Sequence, residues 1–398
     1  MFQANVYRSG LNSLVIFRHL LEDPVVEKLN TLLSTDPADI STFIHSYGAF
    51  IHSLYLHTDN FSRYLLDSIL DDENPYVVRK GADMPVPEAM EECLKMELAF
   101  LGRLSSLSSG DLRGLCAYKG FLPSYRTERL DFTEHYMQRL SKIREKGYGV
   151  FAKYHVFTVD STGALVPVKY PDPQRLSELT GYEKERAKLI ANTDALLAGK
   201  PANNALLYGD AGTGKSSTVK AIANDYKEKG LRLIEVKKNQ LYLIPDLVDR
   251  LSSNPCRFIL FIDDLSFSSN DNDFSALKAI LEGSVGGRSQ NLVVYATSNR
   301  RHLVKETISD REGDDIHFFD TMQELMSLSA RFGLAITFER PEKELYLSIV
   351  RALAAQYDLD MPDEELCQKA EAHAIRAGGR SPRTAKQFIE LLKSGVVQ

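Results

Sequence analysis

Eight consecutive residues, Gly209-Asp210-Ala211-Gly212-Thr213-Gly214-Lys215-Ser216, have the types and spacing that phosphate binding requires: inner glycines, a lysine and a hydroxyl. They stand between an apolar run at 204–208, expected to be a strand, and a stretch at 215–227, expected to be a helix. Gly212 and Gly214 leave backbone N–H groups free to point inward, and the helix presents its positive dipole end to an anion. Lys215 is expected to reach the β and γ oxygens of a nucleoside triphosphate, and the Ser216 hydroxyl to supply an oxygen for magnesium, with Ser217 completing the cradle. The chemistry predicted is binding of a nucleoside triphosphate with Mg2+.

Two further apolar runs end in groups suited to the same ligand. Cys256-Arg257-Phe258-Ile259-Leu260-Phe261-Ile262 leads into Asp263-Asp264. A hard cation beside a triphosphate takes carboxylate oxygen, so Asp263 is expected to hold the magnesium, directly or through water. Asp264 is then placed to orient or deprotonate the attacking water. The run Leu292-Val293-Val294-Tyr295-Ala296 leads into Thr297-Ser298-Asn299, whose terminal amide can donate to the γ-phosphate or to the water. Arg331, within Leu328-Ser329-Ala330-Arg331-Phe332-Gly333, closes a helix-like segment just before the last expected strand.

These groups need a scaffold that brings strand ends to one edge. Strands are expected at 204–208, 231–236, 258–262, 292–296 and 334–338, alternating with helices at 182–197, 215–227, 241–251 and 274–281. Such alternation predicts a parallel, doubly wound α/β sheet. Three helices, at 342–356, 363–377 and 381–393, would form a lid. Ahead of the sheet the chain reads as helical, with Asp23-Pro24 and Asp36-Pro37 each offering an N-cap followed by proline, and with helices at about 40–56, 61–70, 87–104 and 127–146. Between the halves, 156–159 and 164–168 flank the turn Asp160-Ser161-Thr162-Gly163, and Tyr170-Pro171-Asp172-Pro173 reads as a linker. The expected division is a helical domain over 1–150, a strand-turn-strand and linker over 151–172, a nucleotide-binding domain over 173–340 and a helical lid over 341–398.

Composition is that of a globular protein: 43% apolar and 26% charged over 398 residues, enough chain for two or three domains. A formal charge of −6 gives no whole-molecule basic field to attract nucleic acid. Cys93, Cys116, Cys256 and Cys367 lie far apart, with no metal or disulfide spacing. The amino terminus lacks the pattern of a signal peptide, and no apolar run approaches the length of a membrane span, so a cytoplasmic protein is expected.

Taken in order, the cradle, the Asp-Asp strand end, Ala296-Thr297-Ser298-Asn299, Ser329-Ala330-Arg331-Phe332-Gly333 and a helical tail bearing Gly379-Arg380-Ser381-Pro382-Arg383 resemble an AAA+ ATPase, a P-loop NTPase with a helical lid, over about 173–393. More narrowly, Asp263-Asp264-Leu265-Ser266-Phe267, Tyr295-Ala296-Thr297-Ser298-Asn299-Arg300-Arg301-His302-Leu303 and Arg383-Thr384-Ala385-Lys386-Gln387-Phe388 resemble the bacterial ATP-binding family known as domain of unknown function 815. The resemblance implies that Arg331 acts as an arginine finger on a neighbouring protomer, and that Arg383, with Arg380 as its rival, contacts the nucleotide from the lid. It also implies that Leu176, Leu179, Gly181 and Tyr182 pack around the adenine. AAA+ enzymes usually carry glutamate where Asp264 stands, which points to slow hydrolysis. The expected activity is ATP hydrolysis in a homo-oligomer that remodels or loads a protein partner. A nucleotide-gated adaptor with negligible turnover is the alternative, and a helicase-loader-like ATPase associated with nucleic acid is disfavoured by the acidic balance.

Overall fold

The computed structural model describes residues 4–265, 277, 281, 290–299 and 331–396. The chain divides into two compact units, Met1–Lys153 and Tyr154–Gln398.

The first unit is helical: α1 (Ala4–Asn12), α2 (Pro24–Ser34), α3 (Ile40–Tyr55), α4 (Phe61–Asp71), α5 (Pro75–Gly81), α6 (Glu88–Ser105), α7 (Ser109–Arg113), α8 (Phe132–Ser141), α9 (Ile143–Lys146) and α10 (Val150–Lys153). Asp23 caps α2 by accepting from the N–H groups of Val25 and Val26, with Pro24 at the first helical position. Asp36-Pro37 does not start a helix. Asp36 closes a local turn by accepting from Ala38 N at 2.9 Å, and Asp39 instead caps α3. The helix expected over 127–146 is broken into α8 and α9, and Asn74-Pro75 opens α5 between the helices expected at 61–70 and 87–104. Phe50 sits edge-on to Phe61 and Tyr125 at 5.6 and 5.5 Å between ring centroids, at the centre of an apolar core.

One buried carboxylate organises the start of this unit. Glu97 on α6, 7% exposed, accepts from the backbone N–H groups of Val15, Ile16 and Phe17 at 2.6, 3.1 and 3.0 Å. Removing it strands buried donors, each of which costs on the order of 1–3 kcal/mol when left unpaired. Two of these donors, on Ile16 and Phe17, are buried, so Glu97→Ala is expected to lower unfolding stability by at least about 2 kcal/mol. A urea midpoint unchanged from the parent would show that these donors find water or other acceptors.

The second unit is built on a seven-stranded sheet of order β2-β1-β4-β5-β6-β3-β7. Its strands are β1 (Val156–Val159), β2 (Leu165–Pro167), β3 (Ala205–Gly209), β4 (Leu231–Glu235), β5 (Arg257–Ile262), β6 (Leu292–Ser298) and β7 (Leu334–Phe338). All neighbours run parallel except β1 and β2. Central strands such as β5, where five of six residues are buried, are apolar on both faces, as a sheet covered on both sides requires. The pair read from sequence as a connector joins the sheet: β1 lies against β4, with Phe157 opposite Ile234. The described helices of this unit are α11 (Glu183–Leu197), α12 (Lys215–Tyr226), α13 (Ile244–Leu251) and the lid, α14 (Lys343–Gln356), α15 (Asp363–Arg376) and α16 (Pro382–Lys393). Lid residues Tyr346, Val350, Phe388 and Ile389 are buried in the same cluster as Leu207 and Tyr295 of the sheet. The parallel α/β nucleotide-binding sheet with its helical lid, preceded by a helical region, is the fold class expected.

The helix expected over 274–281, Ser266, Phe267, residues 300–303 and 328–330 lie outside the described residues, apart from Leu277 and Leu281, which are buried. Among the described residues no helix is long and apolar enough to cross a membrane.

Candidate functional site

In this sheet β3 lies between β6 and β7, while the chain leaves β3 for β4 on the far side of β5. Such a reversal opens a crevice at the carboxyl ends of the strands, where open α/β sheets bind ligands. The loop 210–214 follows β3 into that crevice. At Gly209 a side chain is excluded, because a Cβ would come within 2.2 Å of the Phe338 carbonyl oxygen on β7. Gly214, with φ of +91°, turns the chain into α12 in a conformation glycine adopts without strain.

Residues from six parts of the chain meet there around a cavity of about 490 Å3, within the range that small ligands occupy. Gly212, Thr213, Gly214, Lys215, Ser216 and Ser217 form one wall, Asp263, Asp264, Thr297 and Asn299 the strand-end wall, and Ile349, Leu353, Pro382, Arg383 and Lys386 the lid side. Lys215 is 5% exposed and its ammonium curls onto the loop, donating to the carbonyls of Gly209 at 3.0 Å and Asp210 at 2.7 Å and to Asn299 Oδ1 at 3.2 Å. Burial pushes its pKa down, while Asp210, Asp264 and Asp263 oppose the shift.

Two hydroxyls converge on one carboxylate. Ser216 Oγ donates to Asp263 Oδ1 at 2.6 Å and Thr297 Oγ1 donates to the same oxygen at 2.5 Å. Thr297 also accepts from Asp264 N at 2.9 Å, which turns the next carboxylate outward. Asp264 itself has φ of +52°, a left-handed backbone that a non-glycine residue holds only when its surroundings impose it. Asn299 Nδ2 donates to Asp264 Oδ1 at 2.8 Å, so this one amide joins the exposed carboxylate to the lysine of the cradle.

Magnesium takes oxygen ligands from one or two carboxylates and from substrate phosphates. The half-buried Ser216 hydroxyl and Asp263 carboxylate, already in contact beside the cradle, supply that donor set. Among the described residues no group of three or more His, Cys, Asp or Glu side chains could hold a metal by itself. A cation here would depend on phosphate as well.

On the lid, Arg383 lines the cavity and its backbone N–H donates to Gly212 O at 3.1 Å. Arg380 is committed elsewhere, in a two-pronged pair with Glu371 at 2.9 and 2.7 Å. Of the two lid arginines, Arg383 lines the cavity and Arg380 does not. Gly209 and Asp210 contribute their carbonyls, and Asp210 Oδ2 accepts from Arg340 N at 2.9 Å, while Ala211 is exposed at the loop tip. Tyr182 is not brought to the cavity wall. Its hydroxyl donates to Glu339 O at 2.6 Å and its ring packs on Phe338 at 5.3 Å, so it is held in the core; of its expected companions, Leu179 lines the cavity. Arg331 does not line it either. Thr297, Lys386 and the strap residues Asp172, Gln174, Glu178 and Thr180 line it although sequence reasoning gives them no role. For Thr297 a signal is available, since pairing of Ile262 with Ala296 sets it beside Asp263.

A family model described as "Protein of unknown function (DUF815)" matches residues 152–396. The chain belongs to the DUF815 family. This DUF815 chain is also similar to the replication factor C large subunit of Staphylothermus marinus, at 29% identity over 123 residues, 29% of this chain and 28% of that relative. It thus spans little more than a quarter of that curated protein's length. Solved structures similar to it include the Thermotoga maritima RuvB Holliday junction branch migration motor, at 20% identity and a TM-score of 0.39 over 56% of this chain and 65% of that one. A katanin structure is similar at 16% identity and a TM-score of 0.38, over 56% of this chain and 72% of that one.

Proposed function

We propose that this chain binds ATP with magnesium in the cavity above β3 and hydrolyses it to ADP and phosphate, within a homo-oligomer, to remodel or load a protein partner. The observation that carries this reading is the convergence of Lys215, Ser216, Asp263, Thr297 and Asn299 on one crevice beside a glycine-rich loop. Bound at Ser216 and Asp263, magnesium would neutralise charge on the triphosphate. Lys215 would exchange its loop carbonyls for phosphate oxygens, Arg383 would approach from the lid, and Asp264 would orient water and accept its proton. Arg331 would reach the site of a neighbouring protomer. The chain is read as a cytoplasmic protein.

A second reading, a nucleotide-gated adaptor that turns over negligibly, draws on one specific observation. Asp264 is a residue type one methylene shorter than the usual glutamate, and Asn299 already holds one of its oxygens. The measurement that separates the two is steady-state phosphate release made beside molar mass, with and without ATP. Release that rises with assembly supports the motor; tight ATP binding with no release above the buffer background supports the adaptor. Retention on DNA that weakens steeply with salt would instead favour the loader reading.

A further inference from the structure

One wall of the cavity belongs neither to the cradle, nor to the strand ends, nor to the lid. Asp172, Gln174, Glu178, Leu179 and Thr180 come from the strap between β2 and α11, which pairs with no strand of the sheet. Its placement depends on side chains from elsewhere. Asn224 Nδ2 donates to the carbonyls of Asp172 at 2.7 Å and Gln174 at 2.8 Å, and Asp225 Oδ2 accepts from Leu176 N at 3.0 Å. From the lid, Gln356 Nε2 donates to Glu178 O at 3.0 Å.

The orientation of Asn224 follows from its partners. Both carbonyls can only accept, so the amide must turn its NH2 group to them and its oxygen to His155 Nε2, 3.0 Å away, which must then carry a proton. Helix α12 therefore starts at the phosphate cradle with Lys215 and ends at the strap with Asn224 and Asp225. With phosphates at the cradle, ribose and base must extend along the remaining lining, where Leu179, Thr180, Ile349 and Leu353 offer an apolar slot.

We propose that Asn224 is a positioning residue for the nucleoside half of the ligand: by clamping the strap it sets the wall against which ribose and base lie. This rests on the reading that the cavity takes ATP. In Asn224→Asp the shape and the oxygen facing His155 are kept, but the donors become a carboxylate oxygen facing two carbonyls.

The test compares dissociation constants for ATP and for inorganic tripolyphosphate, both with magnesium, in the full chain. Asn224→Asp is expected to weaken ATP by about tenfold or more while leaving tripolyphosphate within about twofold of the parent. Asp225→Ala, which removes the Leu176 anchor, is expected to shift ATP alone in the same direction. Equal weakening of both ligands by Asn224→Asp would make the residue a general support of the fold and overturn the assignment, as would unchanged ATP affinity. A parent protein that binds neither ligand contradicts the proposed function itself, and that result appears before any substitution is made.

Discussion

Arg331→Ala is expected to reduce ATP turnover by about a thousand- to a hundred-thousand-fold while leaving ATP affinity within about twofold, because an arginine finger acts on developing charge and not on the bound ground state. Arg331 directly precedes Phe332, 3% exposed, and Gly333, where a Cβ would meet the Asn203 side chain at 2.4 Å. That close packing fixes the end of the segment leading into β7. Arg331 does not line the cavity of its own chain, which is compatible with the role proposed for it on a neighbour's nucleotide. Two results follow from a finger supplied in trans. Specific activity of the parent should rise with protein concentration as protomers associate. Mixing inactive Arg331→Ala with inactive Asp264→Asn should restore part of the activity, since an intact Asp264 can then face an intact Arg331 across one interface. Specific activity that stays flat on dilution of a monomeric protein contradicts the assignment.

Asp264→Asn is expected to retain ATP binding and to lose hydrolysis by about a hundred- to ten-thousand-fold, the range that general-base catalysis contributes. The side chain is exposed at the mouth of the crevice, and its backbone is held in the left-handed region by the bond from its N–H to Thr297. The substitution preserves shape and the partner at Asn299 but removes the basic oxygen. Phosphate release equal to the parent would transfer the role to another group. Glu235, at the end of β4 and 3.8 Å from Lys220, is the first described alternative.

The parts of this site that can be read directly from the chain are those whose determinants are local. Eight contiguous residues specify the cradle, and strands buried on both faces show as unbroken apolar runs, so that Asp263 and Asn299 fall at strand ends by pattern alone. What escapes such reading depends on residues distant in sequence. The strap becomes a cavity wall through Asn224 and Gln356, which lie 52 and 178 positions from their partners. Tyr182 matches a local pattern for adenine contact, yet the Glu339 carbonyl and the Phe338 ring, contributed by the far end of the sheet, draw it into the core. Asp36-Pro37 and Asp23-Pro24 carry the same local signal, and only the second is followed by buried residues, Val25, Val26 and Leu29, that give a helix a face to pack. For β1 and β2, period-2 patterning predicts strands but not the edge of β4 that they join.

A grip on the triphosphate by Lys215 together with Ser216 and Asp263 underlies every step proposed for this chain. Isothermal titration of the full chain with ATP, in the presence and absence of magnesium, tests it most directly, with Lys215→Ala measured in parallel. Saturable heat from the parent that strengthens with magnesium and a loss of at least about a hundredfold in affinity for Lys215→Ala are predicted. No binding heat from the parent at any metal concentration, or equal affinity in Lys215→Ala, would contradict it.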